Sequence, residues 1–258
     1  MTLVSSAPPA PRVRHIVEAD LTWALAEGWS DFKAKRGDLI VLALIYPIVG
    51  LLAASAAFDE RILPLFFPLV AGMSILGPAV ASGFYELARR REAGLDSNWL
   101  HFVDPLKGRS RFPLAVLTGV LAVLFVAWVF AAALIYLATV AAETPVGVSG
   151  FVHALFATPR GWALIIVGNL VGFVFAAVTV TLSLVSFPLV VDKSLGAGAA
   201  LATSIRAVRA NPALAASWGL RVAALLVLGS IPLFIGLAIV LPVLGYATWH
   251  LYTRLIER

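Results

Sequence analysis

Cysteine is missing from this chain, and charged residues are scarce. The 258 residues include no Cys, and only 13% of them are Asp, Glu, Lys or Arg. The first absence excludes disulfides and cysteine-ligated zinc or iron–sulfur sites. The second excludes an ordinary soluble domain, in which about 25% of residues are charged. The sequence also contains no Gly-rich phosphate loop, nucleophile elbow or kinase signature, so it indicates no enzyme.

Apolar residues are abundant instead. They make up 61% of the chain, and the mean hydropathy is +0.96. A bilayer has a hydrocarbon core of about 30 Å, which about 20 apolar residues cross as an α-helix. We therefore predict an all-α, polytopic membrane protein. Its six predicted transmembrane helices are 39–57, 62–85, 112–142, 162–191, 212–230 and 233–252.

The predicted spans pair into three hairpins that form a single membrane domain over residues 13–258. Residues 1–12 hold three prolines and no apolar core of the signal-peptide kind, so we predict a disordered tail there. A cytoplasmic interfacial helix or segment precedes each hairpin. In the first of these, helical spacing predicts an apolar face, with Asp20 as its N-cap. The residues of this face are Leu21, Leu25, Trp29 and Phe32.

Basic residues predict the orientation of the chain. With six spans and a cytoplasmic N-terminus, all of the 19 basic residues except Arg61 and Arg160 lie on the inner side. This asymmetry is what the positive-inside rule requires. We therefore predict a bacterial inner-membrane protein with both termini in the cytoplasm. The net charge of +5 indicates attraction to anionic lipid headgroups rather than to nucleic acid.

The first candidate site lies at the inner ends of the second and sixth spans. Glu86 is one helical turn from Arg89 and Arg90, which favours a local ion pair. If the two spans are neighbours, His250 or Tyr252 can donate a hydrogen bond to Glu86. We call these five residues the inner cluster. The alternative for Glu86 is a role in a proton relay, which the lack of further Asp or Glu residues through the spans disfavours.

The second candidate site is a small-residue motif in the fourth span. Gly168 and Gly172 have the spacing that lets a neighbouring helix approach closely, and Asn169 can hydrogen-bond across such a contact. Helix packing is the simpler interpretation. The functional alternative is a polar stripe that faces a cavity or a partner subunit.

The histidines and one arginine complete the candidates. No pair among the four histidines has a metal-ligand spacing, so we predict no metal, haem or other cofactor. Arg221 lies about nine residues into the fifth span, and we expect its long side chain to reach back to the inner surface.

Several clusters of residues, spread over most of the chain after the tail, carry a resemblance to a known family. They lie within 28–32, 37–38, 46–50, 77–94, 204–212 and 242–252, and they include Trp29, Tyr85, Asn211, Trp249 and His250. Together these clusters resemble the bacterial membrane-protein family known as domain of unknown function 2189. The resemblance implies an integral membrane protein of about six spans with no established activity.

Two functions fit these patterns. The lack of charges deep in the spans, the small loops and the small-residue helix faces favour a non-enzymatic accessory, scaffold or assembly subunit of a membrane complex. Its partners are then membrane lipids and other membrane-protein subunits. The alternative is a small transporter or lipid-handling protein with a mid-membrane cavity, which the repeated hairpins and the prolines inside the spans favour.

Overall fold

The computed structural model describes residues 11–34, 63–143, 147–193, 195–232 and 234–258. The predicted first span, 39–57, lies outside these residues, as does most of the predicted tail. Ten α-helices occur in the described part of the chain. They are α1 (Glu18–Ala34), α2 (Leu63–Met73), α3 (Gly77–Glu92), α4 (Arg111–Ala138), α5 (Gly147–Ala157), α6 (Pro159–Ser183), α7 (Ser186–Lys193), α8 (Ala197–Ala210), α9 (Pro212–Ser230) and α10 (Leu237–Leu255).

Four helical stretches within the described ranges are long and apolar enough to cross a membrane. They are Phe66–Glu92, Arg111–Ala138, Pro159–Lys193 and Pro212–Ser230. These stretches correspond to the second, third, fourth and fifth predicted spans, so the prediction of an all-helical membrane protein is confirmed. Helix α10 does not meet this criterion of length and apolar composition. The sixth span and the arrangement as three hairpins are therefore not confirmed.

Burial divides the helices into two zones. In the zone that we call the head, large side chains are fully buried, among them Phe84, Phe187, Tyr246, Trp249 and Tyr252. The head comprises the described residues of 11–34, 82–121, 179–218 and 242–258. In the remainder, which we call the apolar zone, helices expose large apolar side chains such as Val126, Phe130, Leu170, Phe173 and Leu228. An exposed apolar surface of this extent marks the lipid-facing part of the molecule.

Helix α1 packs along α10 inside the head. Its buried residues are Leu21, Ala24, Gly28 and Asp31, at helical spacing. The helix is amphipathic as predicted, but the face with the deepest burial is turned towards protein. Trp29, on the predicted lipid-facing side, is 45% exposed.

The start of α1 differs from the prediction. The helix begins at Glu18, so Asp20 occupies its third position and is not the N-cap. From there the Asp20 carboxylate accepts a hydrogen bond from the backbone N–H of Val17 at 2.9 Å. A side chain at the third position can satisfy the N–H of the cap residue in this way, as in the second half of a capping box.

The fourth predicted span is interrupted between α6 and α7. Ser204 of α8 bridges the interruption, because its hydroxyl donates to the carbonyl of Thr181 at 2.8 Å and accepts from the N–H of Val185 at 3.2 Å. All three groups lie in the head. The apolar run from 162 to 191 hides this break, since the residue that stabilises it comes from another helix.

We expect Ser204→Ala to lower the free energy of unfolding by about 1–3 kcal/mol, because two backbone groups at the break lose their partner. Thermal unfolding in detergent, followed by tryptophan fluorescence, measures the change. Ser230→Ala is the matched control, because its hydroxyl bonds only to a carbonyl of its own helix, that of Leu226. Equal losses in the two variants would contradict the bridging role.

The two ends of the described chain meet in the head. Val13 and Ile256 form an antiparallel bridge, in which the N–H of Arg14 donates to the carbonyl of Leu255 at 2.8 Å. Asn211, between α8 and α9, holds the same N-terminal segment through two hydrogen bonds to its backbone. Both ends therefore lie on one side of the apolar zone.

Candidate functional site

The local ion pair predicted for the inner cluster is confirmed. The Arg89 guanidinium donates to the Glu86 carboxylate twice, from Nε at 2.8 Å and from Nη2 at 2.7 Å. Nη1 of Arg90 lies 3.6 Å from the same carboxylate. The Glu86 side chain is only 7% exposed, so two arginines neutralise a buried charge.

The predicted hydrogen bond from His250 or Tyr252 to Glu86 is not formed. Nε2 of His250 lies 2.9 Å from Oδ2 of Asp31, and the hydroxyl of Tyr252 donates to Asp192 at 2.7 Å. Helices α3 and α10 are neighbours, as the prediction required. Acidic residues from α1 and α7 nevertheless bind the two donors in place of Glu86.

Asp31 joins three helices of the head. Besides His250 on α10, its carboxylate lies 3.1 Å from Nη1 of Arg91 on α3. The Trp23 ring of α1 meets the His250 ring edge-on at 5.6 Å, and the Arg254 guanidinium stacks over Trp23 at 4.0 Å. The sequence interpretation did not select Asp31, because a lone acid on an amphipathic helix looks like a solvent-exposed charge.

Asp192 belongs to a second group of paired charges, which surrounds Arg258. Nη1 of Arg258 lies 2.6 Å from Glu92, and its Nε lies 3.4 Å from Asp192. The same guanidinium stands 4.7 Å from the Trp249 ring centre, and the indole N–H of Trp249 donates to Glu92 at 3.2 Å. Arg258 is thereby fixed to α3 and α7.

Burial and neighbouring charges shift the pKa values of two residues in this group. Burial, assisted by the charge of Asp192, raises the pKa of Tyr252 above its usual range. Burial acts to lower the pKa of Arg258, but the hydrogen bond to Glu92 and the charge of Asp192 outweigh it and raise that pKa. Tyr252 therefore remains a neutral donor, and Arg258 remains a cation, at physiological pH.

A 3₁₀ segment, Trp99–Leu106, covers one side of α3. Nδ1 of His101 lies 2.6 Å from Asp104, and Nη1 of Arg90 lies 3.6 Å from the same carboxylate. A cleft of about 260 Å³ opens between this segment and α7, and its charged lining is Glu86, Arg89, Asp104 and Asp192. Among the described residues, no group of three or more His, Asp or Glu is placed to hold a metal ion.

The second candidate site lies in the apolar zone on α6. A Cβ at Gly172 would lie 3.2 Å from the Trp128 ring, so this glycine packs against α4. A Cβ at Gly168 would meet no atom within 4 Å. Asn169 is exposed, and its amide nitrogen donates to the carbonyl of Ile165 in its own helix at 2.7 Å.

Arg221 forms an ion pair with Glu18, in the first turn of α1. The Arg221 side chain is 29% exposed and that of Glu18 is 57% exposed. The pair therefore lies at the surface, and a carboxylate on α1 compensates the charge that the sequence places within the fifth span.

Residues 66–192 match the sequence model of a protein family, domain of unknown function 2189. The family is described as a predicted integral membrane protein. Residues 66–192 belong to this family. The resemblance seen in the sequence is thus confirmed for the stretch from α2 to α7. No curated protein and no solved structure matches the chain.

The segment of domain of unknown function 2189 contains only part of the head. It includes Glu86, Arg89 and Asp192, whereas their neighbours on α1 and α10 lie outside it. The family likeness of 204–212 and 242–252 stays a prediction. In the structure, Ser204 and Asn211 of that region make hydrogen bonds that stabilise the junctions between helices.

Proposed function

We propose that this integral membrane protein is a non-enzymatic accessory, scaffold or assembly subunit of a complex in the bacterial inner membrane. Its head and both termini then lie in the cytoplasm. Its partners are membrane lipids and other membrane-protein subunits, and nucleic acid is not among them. The observation that carries the proposal is the exposed side chain of Asn169 on α6.

Asn169 lies deep in the apolar zone. It is about 15 Å from the start of α6 at Pro159, which is half of a hydrocarbon core of about 30 Å. An amide side chain has two donors and an acceptor, and the hydrogen bond to Ile165 uses one donor. Hydrocarbon offers no partner to the other groups, whereas a polar group on a second transmembrane helix does.

The surface beside Asn169 permits the close approach of a helix. Gly168 has open space where a Cβ would stand, so a partner backbone can come near without displacing side chains of this chain. Gly172 is already covered by Trp128. We therefore call Gly168 and Asn169 the docking face.

The head favours a structural role over catalysis. Its buried acids, Asp31 and Glu86, are held by cations, and the pairs of Asp31 connect separate helices. The cleft of about 260 Å³ is below the range of about 300–1,000 Å³ that is typical of small-molecule sites. It also lies in the head, so it gives little support to a transporter with a cavity at mid-membrane.

We expect Asn169→Leu to lower the ratio of partner-bound to free protein by about fivefold to thirtyfold, which corresponds to the loss of about 1–2 kcal/mol. Native mass spectrometry after extraction in mild detergent measures that ratio. Thr181→Val is the matched control, because its hydroxyl also bonds within α6, to Ala177. A wild-type protein that is recovered only as a monomer without partners would refute the proposal.

Reporter fusions test the proposed orientation. A reporter fused after Arg258 should be active in the cytoplasm, and one inserted within residues 145–149, between α4 and α6, should be active outside. The expected difference follows from the basic residues of the head, which the positive-inside rule retains in the cytoplasm. Reporters on the same side would show that the orientation is wrong.

A further inference from the structure

We infer that α9 and α10 form a re-entrant hairpin, which enters the bilayer from the side of the head and turns back near mid-depth. The hairpin then replaces the predicted fifth and sixth spans. This topology does not depend on the proposed function. It follows from contacts that show which residues of two helices lie at the same depth. Beyond each such contact, the length of the helix can be compared with that of α6.

The first contacts show how far the complete spans extend. Helices α4 and α6 are antiparallel, because the hydroxyl of Ser110 donates to the carbonyl of Val190 at 2.9 Å and Gly172 lies against Trp128. Beyond the second contact, α4 continues about 15 Å to its end, and α6 runs back about 20 Å to Pro159. The two helices therefore end at a similar level, which we call the far end.

The second contact sets the level of α9. A Cβ at Gly219 would lie 3.4 Å from a methyl group of Val180 on α6. From this level α6 extends about 31 Å to the far end, whereas α9 extends only about 16 Å to Ser230. Helix α9 therefore stops about 15 Å short, which is half of a hydrocarbon core.

The third contact gives a consistent result for α10. Tyr252 is hydrogen-bonded to Asp192, which places the two residues at one level. From there α10 extends about 22 Å to its start at Leu237, whereas α6 alone extends about 36 Å from its end at Ser183 to the far end. Both arms of the hairpin thus end well short of the far end of α6.

The turn of the hairpin contributes little additional length. A Cβ at Gly236 would lie 2.7 Å from the carbonyl oxygen of Gly229, so the two arms are in contact where they meet. Phe234 in this turn has a φ of 64°, in the left-handed region, which several types of tight turn use. A tight turn cannot bridge the missing 15 Å or so.

The exposed residues of α6 show which part of this helix lies in the bilayer. Large side chains of α6 are exposed from Trp162 to Val178, whereas Thr179 and most residues from Ser183 to Val191 are buried in the head. The face of α6 that contacts Gly219 continues towards the far end at helical spacing. Its residues Phe173, Asn169, Ile166 and Trp162 are all exposed, so no part of the described chain covers this face.

This topology explains two other observations. Helix α9 is long enough to cross a membrane only if its first turns are counted, and these contain Ala215 and Trp218, which are buried in the head. If the predicted first span is correct, the crossings are 39–57, α2 with α3, α4 and α6. Their even number agrees with the bridge between Val13 and Ile256. A hairpin of half depth also leaves Asn169 uncovered.

Cysteine labelling in membranes tests the inference, because the natural chain contains no cysteine. Ile235→Cys places a thiol on an exposed position of the turn, where the natural side chain is 60% exposed. We expect a membrane-impermeant maleimide to leave this thiol unmodified from either side and to modify it after solubilisation in detergent. Val148→Cys and Val17→Cys are the controls for the far end and the head, and each should react from one side only.

A depth measurement gives an independent result. A fluorophore on the same Ile235→Cys thiol should be quenched at least twofold more by lipids with a nitroxide at the bilayer centre than by lipids with a nitroxide at the headgroup. Labelling of Ile235→Cys from either side of intact membranes, or stronger quenching by the headgroup nitroxide, would overturn the re-entrant hairpin.

Discussion

Gly28→Ala is expected to separate α1 from α10 and to lower the free energy of unfolding by about 2 kcal/mol. A Cβ at this position would lie 2.6 Å from the backbone nitrogen of Ala247 and 2.7 Å from the carbonyl oxygen of Val243. Backbone atoms inside a helix cannot rotate away, so the two helix axes must move apart. Overpacking of a close contact typically costs about 1–3 kcal/mol.

The separation should also be visible locally. Leu21 and Ala24, which share the buried face of α1, would lose their contacts and become exposed. Hydrogen exchange should therefore increase along α1, and thermal unfolding in detergent should give the change in stability. Gly119→Ala is the matched control, because a Cβ on this exposed turn of α4 meets nothing within 4 Å. Its stability should be unchanged or slightly higher, since Ala favours a helix more than Gly does.

A result in which Gly28→Ala and Gly119→Ala behave alike would contradict the close crossing. It would mean that α1 is held only loosely against α10. The predicted attachment of α1 to lipid through Leu25 and Trp29 would then be the better description.

Features of the fold that depend on local sequence could be predicted. The long apolar runs reveal membrane helices because a bilayer demands a minimum length. Helical spacing reveals α1, and the i,i+3 distance between Glu86 and Arg89 reveals their ion pair. Each of these signals lies within one helix.

The head could not be predicted in the same way. Its buried face and the lipid-facing surface are both apolar, so hydropathy does not separate Phe187, which is buried, from Phe173, which is exposed. Its polar contacts join distant residues: Asp31 and His250 are 219 positions apart, and Tyr252 and Asp192 are 60 apart. A single sequence contains no signal for such pairs.

The second large effect is expected at the contact between Asp31 and His250. Their side chains are 9% and 15% exposed, and they lie 2.9 Å apart. Asp31→Ala leaves His250 without its acceptor and also removes the partner of Arg91. Removing one member of a buried pair typically costs about 3–5 kcal/mol, and we expect about 3 kcal/mol because Arg91 is 38% exposed and can be hydrated.

A double-mutant cycle separates the contact from the loss of packing. His250→Ala should cost less than Asp31→Ala, because Arg91 still neutralises Asp31. The double variant should cost less than the sum of the single variants by about 1 kcal/mol or more, since residues in one network are coupled. Denaturant unfolding in mixed micelles measures all three values.

Glu257→Ala provides the control for charge removal at the surface. Its ion pair with Arg14 is long, at 3.8 Å, and the side chains are 46% and 52% exposed, so solvent screens the attraction. We expect a cost below about 1 kcal/mol, as for surface pairs in general. Additive losses in the cycle of Asp31 and His250 would show that their contact does not stabilise the head, and that other contacts, such as the packing around Gly28, hold α1 on α10.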